Sequence, residues 1–197
     1  MKKIFIFIII SLIFSFKPNY TFAIEPDVFI QSTVNRAADT LGGNFSKEER
    51  IEKLKDIAKE TVDIEGISLY SLGAYRKEIS KEQLVRYKMV FRNYFLKSFS
   101  SRLAEYTNPE IDVYSKKKIN KNYTIVSSRL IATDTRPEVK IDWRVYTKDP
   151  ENLLIRDLII EGLSLARTQK EEFSSIIISN DGDVEALIKN LTKFSNN

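Results

Sequence analysis

The feature that most constrains the fold is a stripe of apolar residues between positions 84 and 106, spaced by three and four. This spacing places the stripe along one side of an α-helix of about seven turns. Ser80 and Gln83 have the spacing of a capping box at its start, and Thr107-Asn108-Pro109 is a stop signal at its end. A helix with such a face needs a second apolar surface to cover it. The stripe consists of Leu84, Tyr87, Phe91, Phe95, Phe99, Leu103 and Tyr106.

A run of strands follows this helix. The segments 110–118, 121–133, 138–147 and 152–162 are rich in β-branched and aromatic residues, and turn residues separate the later ones. In the third segment apolar residues alternate with polar ones, so one face of the sheet is buried and the other contacts water. This pattern predicts an antiparallel meander. The buried face of the third strand comprises Val139, Ile141, Trp143 and Val145.

Helices flank the strands on both sides. A helix is predicted from Pro26 to about Leu41, and a capping box formed by Ser46 and Glu49 starts the next one. After the strands, helical periodicity returns over residues 164–178 and again over 184–194. The order of helices, strands and helices predicts an α+β fold with helices packed on one antiparallel sheet.

The first 23 residues have the pattern of a secretory signal peptide. Lys2 and Lys3 precede an apolar run from Ile4 to Phe16, and Thr21-Phe22-Ala23 supplies small residues at the spacing of a cleavage site. A retained membrane anchor is the alternative, but the run is shorter than the ~20 residues that a spanning helix needs. We therefore expect residues 24–197 to form a single exported and soluble domain.

Charge and composition exclude several classes of function. Three of the 31 basic residues lie in the predicted signal peptide, which leaves 28 basic against 27 acidic residues and gives no reason to expect a nucleic-acid partner. The chain contains no cysteine and no histidine, so Ser-His-Asp and Cys-His catalysis and the usual zinc sites are excluded. We expect no metal and no cofactor.

Carboxylates remain as candidate catalytic groups. Asp157 and Glu161 lie on one face of the fourth strand, but a rise of ~3.3 Å per residue separates them by ~13 Å. Paired-carboxylate glycosidases use ~5–9.5 Å. We therefore assign no catalytic residue. The apolar stripe and the buried face of the third strand are consistent with a filled core and equally with the lining of a hollow, and composition does not distinguish the two.

Several segments together resemble one family, the MlaC-type periplasmic phospholipid-binding proteins, also called the toluene-tolerance family. The strongest match is Ile155-Arg156-Asp157 followed by Glu161-Gly162-Leu163-Ser164-Leu165, which is similar to that family's strand-to-helix corner. Leu72-Gly73-Ala74-Tyr75, Glu82-Gln83 and the pair Phe91 and Phe95 are similar to its second pattern. Leu153 and Arg76 depart from it, since the family commonly has aromatic residues there.

The resemblance implies a curved, roughly four-stranded antiparallel sheet that encloses an apolar cavity together with the helices. It implies a monomeric carrier that binds diacyl phospholipid by its acyl chains and moves it between the two membranes, in maintenance of outer-membrane lipid asymmetry. The implied partners are an outer-membrane lipoprotein complex and an inner-membrane ABC transporter with its lipid-binding ring subunit. We expect the headgroup to stay near the mouth of the pocket, in water.

On this interpretation the pocket takes its lining from the third strand, the long helix, the corner after the fourth strand and the segment 72–75. The predicted lipid-binding residues are Leu72, Tyr75, Phe91, Phe95, Phe99, Val139, Ile141, Trp143, Val145, Ile159, Leu163 and Leu165. The alternatives are a small non-metal enzyme with carboxylates in a similar cavity and an exported adaptor or chaperone with a solid core and an exposed apolar patch.

Overall fold

The computed structural model describes residues 24–196. The predicted signal peptide, residues 1–23, lies outside this part of the chain. Among the described residues, no helix combines the length and the apolar character needed to cross a bilayer.

From residue 24 onward, four helices precede the sheet, with a short 3-10 helix, Gly73–Lys77, between the third and the fourth. Pro26 occupies the first turn of the first helix, where its missing N–H is not needed. At the second helix the Ser46 side chain accepts the Glu49 amide while the Glu49 carboxylate accepts the Ser46 amide, so the predicted capping box is confirmed. The helices are α1 (Pro26–Gly42), α2 (Lys47–Thr61), α3 (Ile64–Ser71) and α4 (Lys81–Leu103).

Helix α4 carries the apolar stripe and ends three residues before the predicted Tyr106. The Tyr106 amide bonds to the carbonyl of Leu103 at 3.0 Å, which is a tighter turn than that of an α-helix. The chain therefore leaves the helical path gradually, and Tyr106 stays near the end of the stripe. Asn108 then takes a positive φ of 45°, and the strands begin at Ile111.

The sheet is an antiparallel meander with strand order β1-β2-β3-β4-β5, as the sequence predicted. Strand β3 has the expected alternation, with Ile141, Trp143 and Val145 buried. Two helices follow the sheet, α5 (Leu165–Ile178) and α6 (Val184–Asn196). The strands are β1 (Ile111–Asn120), β2 (Tyr123–Leu130), β3 (Val139–Tyr146), β4 (Leu154–Ile160) and β5 (Leu163–Ser164).

The fifth strand, of two residues, was not predicted. Glu161 and Gly162 have φ values of 49° and 83°, which is the backbone of a two-residue hairpin turn. This turn pairs Ile160 with Leu163 and Ile159 with Ser164. The predicted strand-to-helix corner is therefore a hairpin, and α5 begins directly at its end.

Candidate functional site

A cavity of about 400 Å³ lies between the sheet and the helices. Its lining is predominantly apolar, and its volume falls within the ~300–1,000 Å³ of small-molecule pockets. Strand β3 contributes Val139, Ile141 and Trp143, and helix α4 borders the cavity along the aromatic stripe. The described interior is therefore partly hollow, which decides between the two interpretations that the apolar pattern allowed.

The aromatic stripe of α4 has two different environments along its length. Tyr87 is fully buried in a filled core, where its ring meets Phe173 edge-on at 6.5 Å between centroids. Its hydroxyl donates to the Ser68 carbonyl at 3.1 Å, and burial raises the pKa of this phenol. Further along, Phe95 and Phe99 stack on each other at 5.5 Å and border the cavity. One end of the stripe is core and the other is lining.

A bulge in β4 determines which of its residues face the cavity. Arg144 of β3 pairs with Asp157, but the next residue, Val145, pairs with Ile155, so Arg156 is an extra residue on β4. Trp143 and Ile141 pair with Leu158 and Ile160. The extra residue reverses the alternation, and Ile155 therefore shares the cavity face with Leu158 and Ile160 although simple alternation assigns it to the opposite face.

Helices α1 and α2 supply cavity residues that the sequence did not assign to the pocket. Helix α2 buries one of its faces, but the sequence did not show what this face covers. In the structure it borders the same cavity, opposite the sheet. The residues from these two helices and the link that follows them are Thr33, Val34, Ala37, Ala38, Leu41, Leu54, Ile57, Ala58, Thr61 and Val62.

The structure brings seven of the predicted lipid-binding residues together around the cavity. They are Phe91, Phe95, Phe99, Val139, Ile141, Trp143 and Leu165. Five others do not line it. Leu72 and Val145 are fully buried in the packed core, and Tyr75 is half-buried against that core. Ile159 pairs with Asp142, so it shares the sheet face opposite Ile141, and Leu163 is 59% exposed on the short edge strand.

The two carboxylates after the β4 bulge, Asp157 and Glu161, accept hydrogen bonds from backbone amides. Asp157 is 5% exposed and accepts the Ser164 hydroxyl at 2.6 Å and the Ala166 amide at 3.0 Å. Glu161 accepts the amide of Lys140 on β3. Asp157 therefore fixes the first turn of α5, and Glu161 fastens the hairpin turn to the neighbouring strand.

Arg156, the bulge residue, is also fully engaged. Its Nε donates to Asp63 at 2.6 Å and its Nη1 to the Tyr123 hydroxyl at 2.7 Å. The guanidinium lies 3.9 Å from the ring centroid of Tyr146. This arrangement joins the start of α3 to the sheet, because Asp63 also caps that helix by accepting the Gly66 amide.

Comparison with known proteins relates this geometry to a family. No curated protein matches the chain at a significant level of sequence similarity. Among solved structures, a phospholipid-binding protein from Ralstonia solanacearum, determined in complex with a phospholipid, superimposes with a TM-score of 0.73. At 19% identity it covers 88% of this chain, and 98% of its own length is covered, so the fold is shared. The family model described as MlaC protein matches residues 31–193, nearly the whole described part, and the chain therefore belongs to the MlaC family.

Proposed function

We propose that this protein is a phospholipid carrier that holds acyl chains in the cavity between the sheet and α4. The observation that carries the proposal is the cavity itself: a hollow of about 400 Å³ with a predominantly apolar lining, in a member of the MlaC family. The phospholipid in the Ralstonia solanacearum structure supports the same ligand class.

The physics of lipid transfer explains why a carrier needs such a cavity. Each methylene that leaves an apolar environment for water costs ~0.8 kcal/mol, so exposing roughly thirty of them costs on the order of 20 kcal/mol. Phospholipid monomers therefore cross an aqueous gap very slowly without a carrier. A preformed apolar pocket lowers this cost, because the chains exchange one apolar environment for another.

Family membership also bears on where the protein acts and which partners it meets. We infer that the protein is exported by its N-terminal segment and works in the periplasm, between an outer-membrane lipoprotein complex and an inner-membrane ABC transporter with a lipid-binding ring subunit. The transfer would serve outer-membrane lipid asymmetry. Family membership supports this role, and it supports binding and transport over catalysis.

A paired substitution tests the cavity as the lipid site. Phe99 borders the cavity in the middle of the stripe, and Phe99→Glu would place a carboxylate in the path of the chains. Leu163→Glu introduces the same charge at an exposed position outside the lining. After incubation with phospholipid vesicles, the re-purified proteins are extracted with organic solvent and the lipid is quantified by mass spectrometry.

We expect stoichiometric diacyl lipid in the wild type and in Leu163→Glu, and a loss of most of it in Phe99→Glu. Circular dichroism and a cooperative thermal transition establish that both variants are folded. Absence of lipid from the folded wild-type protein would refute the carrier function. Full loading of folded Phe99→Glu would show that the chains lie elsewhere.

A further inference from the structure

Five charged residues border the cavity: Arg102, Arg136, Arg156, Asp157 and Glu172. Two of these have partners within the fold, since Arg156 pairs with Asp63 and Asp157 accepts two hydrogen bonds at the start of α5. Glu172 is exposed and accepts a hydrogen bond from Gln169 at 3.1 Å. The guanidinium groups of Arg102 and Arg136 remain.

Neither guanidinium has a carboxylate partner within the described part of the chain. The arginines that form ion pairs there are Arg36, Arg86, Arg129 and Arg156. Arg136 donates one long bond of 3.4 Å to the Ile131 carbonyl, while its Nε is buried without a partner among the described residues. The Nε atoms of Arg50 and Arg144 also lack a partner among the described residues, but of the three arginines only Arg136 borders the cavity, where a ligand can supply an acceptor.

Both arginines border the cavity, and each lies near the end of α4. Arg102 lies in the last turn of α4, four residues before Tyr106. Arg136 comes from the loop between β2 and β3, and its guanidinium lies 5.5 Å from the centroid of the Tyr106 ring. Tyr106 is 39% exposed and Arg102 is also exposed, so this end of the cavity is open to water.

The walls beside this opening are apolar. Pro109 and Ile111 border the cavity there, and Ile111 pairs with Leu130, which in turn pairs with Val139. One end of the sheet thus brings together the start of β1, the end of β2 and the start of β3. A ligand at this opening would have its apolar part against these walls and its polar part beside the guanidinium groups.

We propose that Arg102 and Arg136 bind the phosphate group of the phospholipid and thereby fix its orientation, with the acyl chains directed toward Phe91 and Trp143. The inference rests on the proposed function. It adds polar recognition of the headgroup to a site whose lining otherwise recognises only the apolar chains. Guanidinium groups offer paired N–H donors that match phosphate oxygens, and the hydrogen bonds are strong because both partners are charged.

The test compares two lipids with the same chains, one of which lacks the phosphate. Vesicles of dioleoyl phosphatidylglycerol with a minor fraction of dioleoylglycerol are incubated with the mature protein, and the bound lipids are extracted and quantified by mass spectrometry. The variants are Arg102→Gln/Arg136→Gln and, as a control, Arg92→Gln, an exposed position on α4 outside the cavity lining.

The wild type and Arg92→Gln are expected to enrich phosphatidylglycerol over dioleoylglycerol relative to the vesicles. In the double variant this enrichment is expected to fall at least about tenfold, because charge-assisted hydrogen bonds to the phosphate are removed. The double variant should still carry lipid. An unchanged lipid ratio in the lipid-loaded double variant would overturn the phosphate assignment and leave the carrier function intact. Absence of both lipids from the wild type would refute the carrier function itself.

Two further arms complete the test. If the double variant does not unfold cooperatively, Arg102→Gln replaces it, because Arg102 is exposed and its loss leaves the core intact. The enrichment of phosphatidylglycerol by Arg102→Gln is expected to be several-fold lower than that by the wild type. An unchanged enrichment would overturn the assignment. Inorganic phosphate is titrated by calorimetry, where no binding is expected without the chains. If the wild type binds inorganic phosphate and the double variant does not, the arginines form a site for free phosphate, and the lipid assignment is overturned.

Discussion

At the scale of single residues, Trp143 combines a place in the cavity wall with a satisfied polar group. Its indole nitrogen donates to the Ser128 hydroxyl at 2.8 Å, and that hydroxyl donates to the Ile141 carbonyl at 3.1 Å. Ser128 is fully buried and Trp143 is 7% exposed. The bond joins β2 to β3 within the sheet face that borders the cavity, so it holds the large ring in one orientation.

Removal of the indole N–H is expected to destabilise the protein. Trp143→Phe should lower the free energy of unfolding by about 1–3 kcal/mol, since apolar area is lost and the buried Ser128 hydroxyl loses its donor. Urea-induced unfolding measures this effect. In a double-mutant cycle with Ser128→Ala we expect a coupling energy of about 1 kcal/mol. Strictly additive effects would contradict an energetic link between the two side chains.

At the scale of elements, the N-cap of α5 bonds to a buried carboxylate of the sheet, whereas the N-cap of α4 is exposed. The Ser164 hydroxyl accepts the Arg167 amide at 3.1 Å and donates to the buried Asp157 carboxylate at 2.6 Å. By comparison, the Ser80 hydroxyl accepts the Gln83 amide at 3.1 Å at an exposed helix start. A single hydroxyl at Ser164 therefore both caps α5 and fastens it to β4.

This difference predicts unequal costs for the same substitution. Ser80→Ala should lower the free energy of unfolding by about 1 kcal/mol, the usual effect of losing an N-cap. Ser164→Ala should cost about 2 kcal/mol, because a buried carboxylate loses a hydrogen bond as well. Chemical denaturation of the two variants beside the wild type provides the comparison. Equal losses would mean that the bond to Asp157 contributes nothing to stability.

At the scale of the whole molecule, the fold separates a filled core from a hollow. The core surrounds Tyr87 and Phe173, whereas the cavity lies between β3, the second half of α4 and the small residues of α1. Ala37 and Ala38 leave space there that larger side chains would occupy. Unused space costs stability in the empty protein, and a ligand that fills it stabilises the folded state by mass action.

A larger side chain in the cavity should maintain or raise the stability of the lipid-free protein and should weaken lipid binding. In Ala38→Phe the melting temperature of the lipid-free protein is expected to be at least that of the wild type, and its rise on lipid loading should be smaller. Ala74→Phe serves as a control, since Ala74 is exposed and lies outside the lining. Thermal scans with and without vesicles measure both quantities. A full lipid-dependent rise in Ala38→Phe would contradict the cavity as the binding site.

The sequence by itself determined the elements and their arrangement in broad terms. The spacing of apolar residues by three and four specified α4, the alternation of apolar and polar residues specified β3, and the Ser46 capping box specified the start of α2. Each of these patterns depends on residues close together in the chain. The order of the elements predicted the α+β fold, and the alternation in the third strand predicted the antiparallel meander. The corner motif around Asp157 and Gly162 indicated the family.

Only the tertiary structure decided which apolar residues touch one another and which face a hollow. Periodicity shows that Phe91 and Phe99 point inward, but not how far away the opposing surface lies. The β4 bulge placed Ile155 on the cavity face and left Ile159 on the other, and this shift depends on pairing with β3. The approach of Arg136 to Tyr106 likewise joins distant parts of the chain, so no local pattern encodes it.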